Sequence, residues 1–431
     1  MGIDSTSSNS LSSRHLPRRE LIRLAGMGGL AVAASVAGLR PLAALAANVH
    51  DTTPEGFLAA AYDQRAQAMT TGDTSLLDQI YDPSSTSLRA FEKERAHFFH
   101  SGLGAASMWN GTILSYASTA SLIGLQQSGS TATARLYVVT TVTWIPNSRP
   151  AHTAEALRRS QGAPITTPLG PHGEITSRMG RRHEVTLVQE TGGWRLAKDA
   201  YDELDLDLRS PDLTPGSWAE MQLNGGPTGI VAPPPPPAGA SFALSGRDRS
   251  QFSPDAVGER VRLPQRLATQ YTYSQNSAVN YARNHATSYN GDYCNYNPCG
   301  GDCGNFVSQS FRAGGEVNGG NWYTFNGGCG NCGTSASNAG SDPWANNQQL
   351  HDFMLNNGRA MGEASIGQCI AGDMINYYNS TYGWHHCTII TDGSNDLVCS
   401  HDPDLYNVPW NYGAFNGSNN WFIGMYVNYN A

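Results

Sequence analysis

The stretch Gly301-Asp302-Cys303-Gly304-Asn305-Phe306-Val307-Ser308-Gln309-Ser310-Phe311-Arg312-Ala313-Gly314-Gly315 decides how this 431-residue chain is read. Cys303, Phe306, Val307 and Phe311 recur at helical spacing, and Gly314-Gly315 ends the pattern. A helix is therefore expected from Cys303 onward, with Asp302 at its N-cap. A cysteine in a first helical turn sits where the macrodipole and unpaired backbone N–H groups favour the thiolate. The same N–H groups can hold an oxyanion during acyl transfer. Taken alone, Cys303 reads as a disulfide partner or an inert core cysteine before it reads as a nucleophile.

A thiolate nucleophile needs a base held by a third group. Downstream, Gly383-Trp384-His385-His386-Cys387-Thr388-Ile389-Ile390-Thr391-Asp392-Gly393 reads as a strand closed by a turn. Leu397-Val398-Cys399-Ser400-His401-Asp402 reads as the next strand. Pairing through the Asp392-Gly393 turn would let His386 and His401 face one side. Alone, His386 reads as a core histidine. Cys, then His on a strand, then a polar residue on the next strand suits a papain-like acyl-transfer site.

The segments NSAVNYARNHATSYN, GDCGNFVSQSFRAGG, GDMINYYN, HHCTIITDG and VCSHDPDLYNVPW follow one another between residues 271 and 428. In this order they resemble a bacterial amidase domain family related to the NlpC/P60 cysteine peptidases. The resemblance implies an α+β fold with a nucleophile helix packed on an antiparallel sheet. It implies Cys303 as nucleophile, His386 as base and His401 as the residue that orients the base. It also implies cleavage of amide bonds, often in cell-wall peptides. Two positions depart from the family pattern. His385 stands where Asp is common, which leaves two candidate imidazoles for the base, and Cys387 stands where Thr is common.

Upstream of this domain, taken as residues 266–431, residues 206–265 read as a linker. Its landmark is the run Pro233–Pro237, which favours a stiff polyproline II spacer. Residues 53–205 read as one α+β domain. Thr53-Pro54 is a cap followed by a first-turn proline, and a second helical stretch runs from about Ser87 to His100. Arg135–Trp144 has strand period, and His183–Val188 with Trp194–Ala197 flank a hairpin turn at Glu190–Gly193. Helices followed by long antiparallel strands resemble the NTF2-like cone fold, and no acid–base constellation is legible in this domain. The spacer between two segments of different composition predicts that they fold independently.

Residues 1–47 read as an export signal. Pro17-Arg18-Arg19-Glu20-Leu21-Ile22-Arg23 precedes a weakly apolar Gly/Ala-rich run that ends near Ala44-Leu45-Ala46. Paired arginines before such a run resemble a twin-arginine signal. The competing reading is an uncleaved anchor, for which the run is short and interrupted by Gly. The mature chain is expected to be secreted, without stable membrane insertion.

Charge excludes some classes of partner. There are 27 basic and 35 acidic residues, a net charge of −8, so nothing points to nucleic acid. All eight cysteines lie in the C-terminal domain. Beside Cys303 they are Cys294, Cys299, Cys329, Cys332, Cys369, Cys387 and Cys399, which in an exported protein suggest disulfides. Cys294–Cys299, Cys329–Cys332 and Cys387–Cys399 are the pairings sequence suggests, with Cys369 left over. A zinc site built on Cys329-Gly330-Asn331-Cys332 lacks a second ligand pair at standard spacing, so no metal and no cofactor is expected. The reading is a secreted cysteine amidase or peptidase acting on peptide or peptidoglycan. A non-catalytic cell-wall-binding module on the same fold is the alternative, and a transferase using the same thioester chemistry is a third.

The signal reading has a direct consequence. Changing Arg18 and Arg19 together to Lys keeps the charge but removes the guanidinium forks a receptor reads. Cell fractionation should find the double variant retained inside. Export equal to wild type would leave a general signal or an anchor.

Overall fold

The computed structural model describes residues 40–41, 52–101, 111–146, 166–203, 208–213, 273–297, 301–316, 318, 322–324, 340–357, 359–364, 368–379, 383–393, 397–410 and 420–427. The paired arginines, the proline run and the Cys329/Cys332 pair lie outside the described residues. The molecule is a mixture of helices and an antiparallel sheet. A two-residue strand β1 (Arg40–Pro41) lies on the outer edge of that sheet.

Helix α1 (Pro54–Thr71) begins as its sequence dictates. The Thr53 hydroxyl accepts the Gly56 N–H at 3.2 Å, and Gly72 closes the helix in the left-handed region at φ 75°. Helix α2 (Thr86–Ser101) follows. Strands β2 (Gly111–Ser128), β3 (Thr131–Pro146), β4 (Ile175–Glu190) and β5 (Gly193–Ala200) form an antiparallel meander. The β4–β5 hairpin closes at the expected place, with Glu190 opposite Gly193. Leu58, Ala61, Met69 and Phe99 of the helices share one core with Leu136, Val138, Leu187 and Leu196 of the sheet. A small pair, β6 (Asp202–Glu203) and β7 (Leu208–Arg209), follows β5.

The interior of this first segment holds a polar network that its sequence did not reveal. Arg65 bridges Glu92 at 2.8 Å and Asp199 at 3.1 Å. Asp199 also pairs with His183 at 2.7 Å and accepts from the Tyr62 hydroxyl at 3.2 Å. Tyr201 stacks on His183 and donates to Glu92. Burial pushes the His183 imidazole below the usual histidine range despite Asp199, while Asp199 is held low by His183 and Arg65 against its own burial. The partners come from α1, α2, β4, β5 and the residue that follows β5, so no local pattern joins them.

In the C-terminal segment, α3 (Gln275–His285) and α4 (Cys303–Ala313) precede the short α5 (Asp342–Ala345) and α6 (Asn347–Asn356). Six strands follow: β8 (Ala360–Ala364), β9 (Met374–Asn379), β10 (Gly383–Asp392), β11 (Leu397–Ser400), β12 (Asp404–Pro409) and β13 (Asn420–Val427). They pair in the order β12-β11-β10-β9-β13-β8. β10 and β11 pair through the Asp392-Gly393 turn, with Ile389 opposite Cys399. Along β10, Cys387 and Ile389 join the core beneath α4, while Ile390 packs with Ile375, Tyr377 and Val398 in a second cluster.

The two segments share one sheet, which differs from the independence expected of them. The cause is strand length. β4 pairs with β3 along one edge, but on its other edge β5 covers only Glu184–Glu190. The remaining edge of β4 would be open, and open edges invite pairing. β12 takes it, with Asp404, Leu405 and Tyr406 opposite Gly180, Met179 and Arg178. Leu397, Leu405 and Val408 thereby enter the core of the first segment. The Tyr137 hydroxyl crosses the seam to donate to Asp404 at 2.6 Å. Gly180 permits this, because a Cβ there would overlap the Tyr137 hydroxyl.

Tyr137→Phe should therefore cost ~1–3 kcal/mol in denaturant unfolding, since Asp404 is buried and loses a donor. Hydrogen exchange should show β4 and β12 losing protection together. Loss confined to β4 would mean that the seam does not couple the segments.

Candidate active site

Helix α4 starts at Cys303 and is buried from there to Phe311. Its apolar face carries Phe306, Val307 and Phe311 into the core with Met374, Cys387, Ile389 and Cys399. Its polar residues bind the scaffold. Asn305 donates to the Cys294 carbonyl at 2.7 Å and accepts from the Trp344 indole at 2.7 Å. Ser308 donates to the Trp344 carbonyl at 2.8 Å, and Gln309 accepts from Tyr281 at 2.5 Å. Asn305 and Gln309 thus fix the helix and do not face the thiol.

Asp302 occupies the N-cap position but makes no side-chain cap. Its carboxylate turns away from the helix and accepts from His401 Nδ1 at 2.5 Å, the Tyr296 N–H at 2.7 Å and Asn305 Nδ2 at 2.8 Å. Asp302 thus leaves the first-turn N–H groups of α4 uncapped by its own carboxylate, which suits an oxyanion. Gly301, at φ 123°, has to be glycine, because a Cβ would collide with the Asp402 carboxyl.

The Cys303 thiol is 7% exposed and faces β10. Its sulfur lies 3.8 Å from the His385 carbonyl oxygen. Hydrogen bonding from the Cys387 thiol, then from the His386 imidazole, holds the Cys303 pKa well below the usual thiol range, against the opposing pull of burial. Cys387 is fully buried, and burial followed by the bond to Cys303 pushes its own thiol well up. The two shifts run in opposite directions, so Cys303 is the sulfur of the pair that ionises first.

His386 is half-buried, and its ring lies 5.3 Å from that of Tyr377. His385 is exposed. It is the extra residue of a β-bulge, since Trp384 pairs with Tyr378 and His386 with Tyr377. Bulges re-aim side chains, so simple alternation does not describe this end of β10. Helix α6 pins the same stretch. Asn347 Nδ2 donates to the His386 carbonyl at 2.9 Å, and the Gln348 side chain accepts the Trp384 N–H at 3.3 Å.

The structure brings Cys303 and His386 together but sends His401 elsewhere. His401 lies past the end of β11, in the turn before β12, and both its ring nitrogens are engaged. Nδ1 meets Asp302, and Nε2 donates to the His285 carbonyl at 2.7 Å. The ring is sandwiched by Tyr289 at 4.0 Å and Phe306 at 4.2 Å. It therefore does not hydrogen-bond His386; it holds Asp302, the residue before Cys303. Burial lowers its pKa, but the bond to Asp302 and that carboxylate's charge outweigh this and raise it. Asp402, partly exposed beside Cys303, was not singled out from sequence. Burial and then the Cys303 charge push its carboxyl well above the usual range.

Cys294 is disulfide-bonded to a cysteine outside the described residues. Cys303, Cys369, Cys387 and Cys399 are all thiols. The suggested Cys387–Cys399 bridge does not form, because Cys399 pairs with Ile389, two residues away. Cys399 instead contacts Thr391 and Asn407. Among the described residues no group of three or more His, Cys, Asp or Glu is placed to hold a metal ion, and no helix is long and apolar enough to cross a membrane.

Residues 272–426 match the family model described as Putative amidase domain. This match makes the C-terminal segment an amidase-like domain and supports an amidase-like hydrolase function. No curated protein matches the sequence. Among solved structures, the chain is similar to the intermembrane space region of the chloroplast protein ARC6, at 10% identity, over 35% of this chain and 95% of that one. The TM-score is 0.22, and this likeness carries no argument about fold.

The thiol environment predicts alkylation behaviour. Iodoacetamide should label Cys303 ahead of the buried thiols in the native, unreduced protein. Labelling should stay fast below the ordinary thiol range and fall only as pH drops through the lowered pKa. His386→Ala should slow it strongly, His385→Ala little, and Cys387→Ala should move the fall to higher pH. Peptide mapping by mass spectrometry reads each case. Slowing by the His385 change alone would exchange the roles of the two imidazoles.

Proposed function

We propose that the chain is an exported cysteine amidase or peptidase that hydrolyses amide bonds in cell-wall peptides. The observation that carries this reading is the Cys303 thiol at the start of a buried helix, its sulfur against β10 and its pKa lowered in part by the nearby His386 imidazole. In the proposed reaction the Cys303 thiolate attacks the amide carbonyl. The oxyanion is met by the first-turn N–H groups of α4. His386, carrying the thiol proton, delivers it to the leaving amine as the C–N bond breaks. A water molecule, deprotonated by His386, then attacks the thioester and frees the carboxylic acid and the thiol. His401 acts through Asp302, by fixing the loop that presents Cys303.

The family match supports the hydrolase class, and the net charge of −8 agrees with a substrate other than nucleic acid. Export by the twin-arginine route and a peptidoglycan substrate belong to the same proposal. The full chain should be incubated with purified peptidoglycan and the products identified by mass spectrometry. New amine and carboxyl termini are expected from wild type and none from Cys303→Ala. Turnover that survives Cys303→Ala would sink the cysteine mechanism. Tight binding with no products would make the fold a wall-binding module.

A further inference from the structure

The reaction outlined above needs one cysteine, yet the site contains two. The Cys303 sulfur lies 3.8 Å from the His385 carbonyl oxygen of β10, and Cys387, two residues further along that strand, is near enough for each thiol to shift the other's pKa. Both belong to the core between α4 and β10, and neither is in a disulfide. Their exposures differ in a way that sets an order of events. Cys303 is 7% exposed and Cys387 0%, so a small solute reaches Cys303 first. In the resembling family Thr is common at position 387, and a threonine hydroxyl could equally donate a hydrogen bond to the thiolate. A second sulfur adds a chemistry that hydrolysis does not use.

We propose that Cys303 and Cys387 form a thiol-oxidation site for small hydroperoxides, which closes a reversible Cys303–Cys387 disulfide. The Cys303 sulfur attacks the outer peroxide oxygen. The S–O bond forms, the O–O bond breaks, and the leaving alkoxide or hydroxide takes a proton. Cys303 is then a sulfenic acid. The Cys387 sulfur attacks it, the S–S bond forms, and the oxygen leaves as water with the Cys387 proton. In sum, two thiols and one hydroperoxide give a disulfide, an alcohol or water, and a second water. Two electrons pass from the sulfur pair to the peroxide oxygen. A dithiol reductant reverses the change by two exchange steps.

The resting arrangement favours this order. Cys303 ionises before Cys387, so any negative charge on the pair rests on Cys303. Once Cys303 is a sulfenic acid, that charge is gone and Cys387 is easier to ionise. The disulfide consumes the nucleophile, so closure would switch off amide hydrolysis. That consequence rests on the cysteine mechanism proposed above, whereas the oxidation itself does not.

The full chain should be treated with hydrogen peroxide and mapped by mass spectrometry without reduction. A Cys303–Cys387 linked peptide is expected, lost on adding dithiothreitol. In Cys387→Ser no link should form, and Cys303 should pass to sulfinic and sulfonic acids at peroxide doses from which wild-type Cys303 is fully recovered. Cys387→Thr repeats the test with the residue common in the family, should the serine variant fail to fold. Wild-type Cys303 over-oxidising as fast as the variants, with no linked peptide, would overturn the proposal. So would a link from Cys303 to any other cysteine. Amide hydrolysis, measured separately, distinguishes the two readings. A linked peptide in a protein with no amidase activity supports the oxidation site and counts against the hydrolase. Full hydrolysis by fully disulfide-bonded protein supports the oxidation site and removes Cys303 from the hydrolytic mechanism.

Discussion

The site depends on one buried carboxylate. Asp302 is inaccessible to solvent and accepts from His401, the Tyr296 N–H and Asn305. A buried carboxylate is tolerated only when such donors replace water. Here they come from three places: a turn after β11, the loop before α4 and α4 itself; His401 in turn donates to the His285 carbonyl at the end of α3. Asp302 therefore fixes where α4 begins, and with it the position of the Cys303 sulfur. A side chain that capped the helix in the ordinary way would instead place its own negative charge over the N–H groups that an oxyanion needs.

The same carboxylate stands at one end of a chain of contacts that reaches the first segment. His401 stacks on Tyr289, and Tyr289 donates to Asp404 at 2.6 Å. Asp404 accepts Tyr137 from across the seam, opposite Gly180 of β4. Apart from Asp302 and Tyr289, its members belong to a strand or lie next to one, and burial makes such contacts costly to break. The first segment thus supports the floor of the site from a distance.

What could be read from sequence divides by range. α4 was legible because Cys303, Phe306, Val307 and Phe311 mark one helical face and two glycines end it. The β4–β5 and β10–β11 hairpins were legible because Gly-containing turns sit between strand-like runs. β2 was not, because its eighteen residues are mostly Ser, Thr, Ala and Gly with a burial pattern that does not alternate. The seam was hidden because it joins residues more than two hundred positions apart and follows from the unequal lengths of β4 and β5. Among the site residues, the approach of His386 to Cys303 followed from the order of motifs. The partner of His401 did not, because the chain leaves β11 before that residue and a left-handed Asp402 redirects it. The network around Arg65 was illegible for a related reason. Each of its residues looks ordinary within its own element, and only the packing of five chain regions joins them.

Cys387 shows how a departure from a family pattern carries physical meaning. At that position on β10, a side chain must lie in an apolar core and still offer a hydrogen bond to a thiolate. A thiol meets both demands. It is a weak donor, and as a small hydrophobe it costs little to bury. Its pKa rises with burial, so it remains a donor under conditions in which Cys303 is ionised. The asymmetry between the two sulfurs therefore comes from their surroundings rather than from their chemistry. One stands at a helix start beside an imidazole, and the other is sealed beneath it. Any change that let water reach Cys387 would narrow that difference and weaken the preference for ionising Cys303.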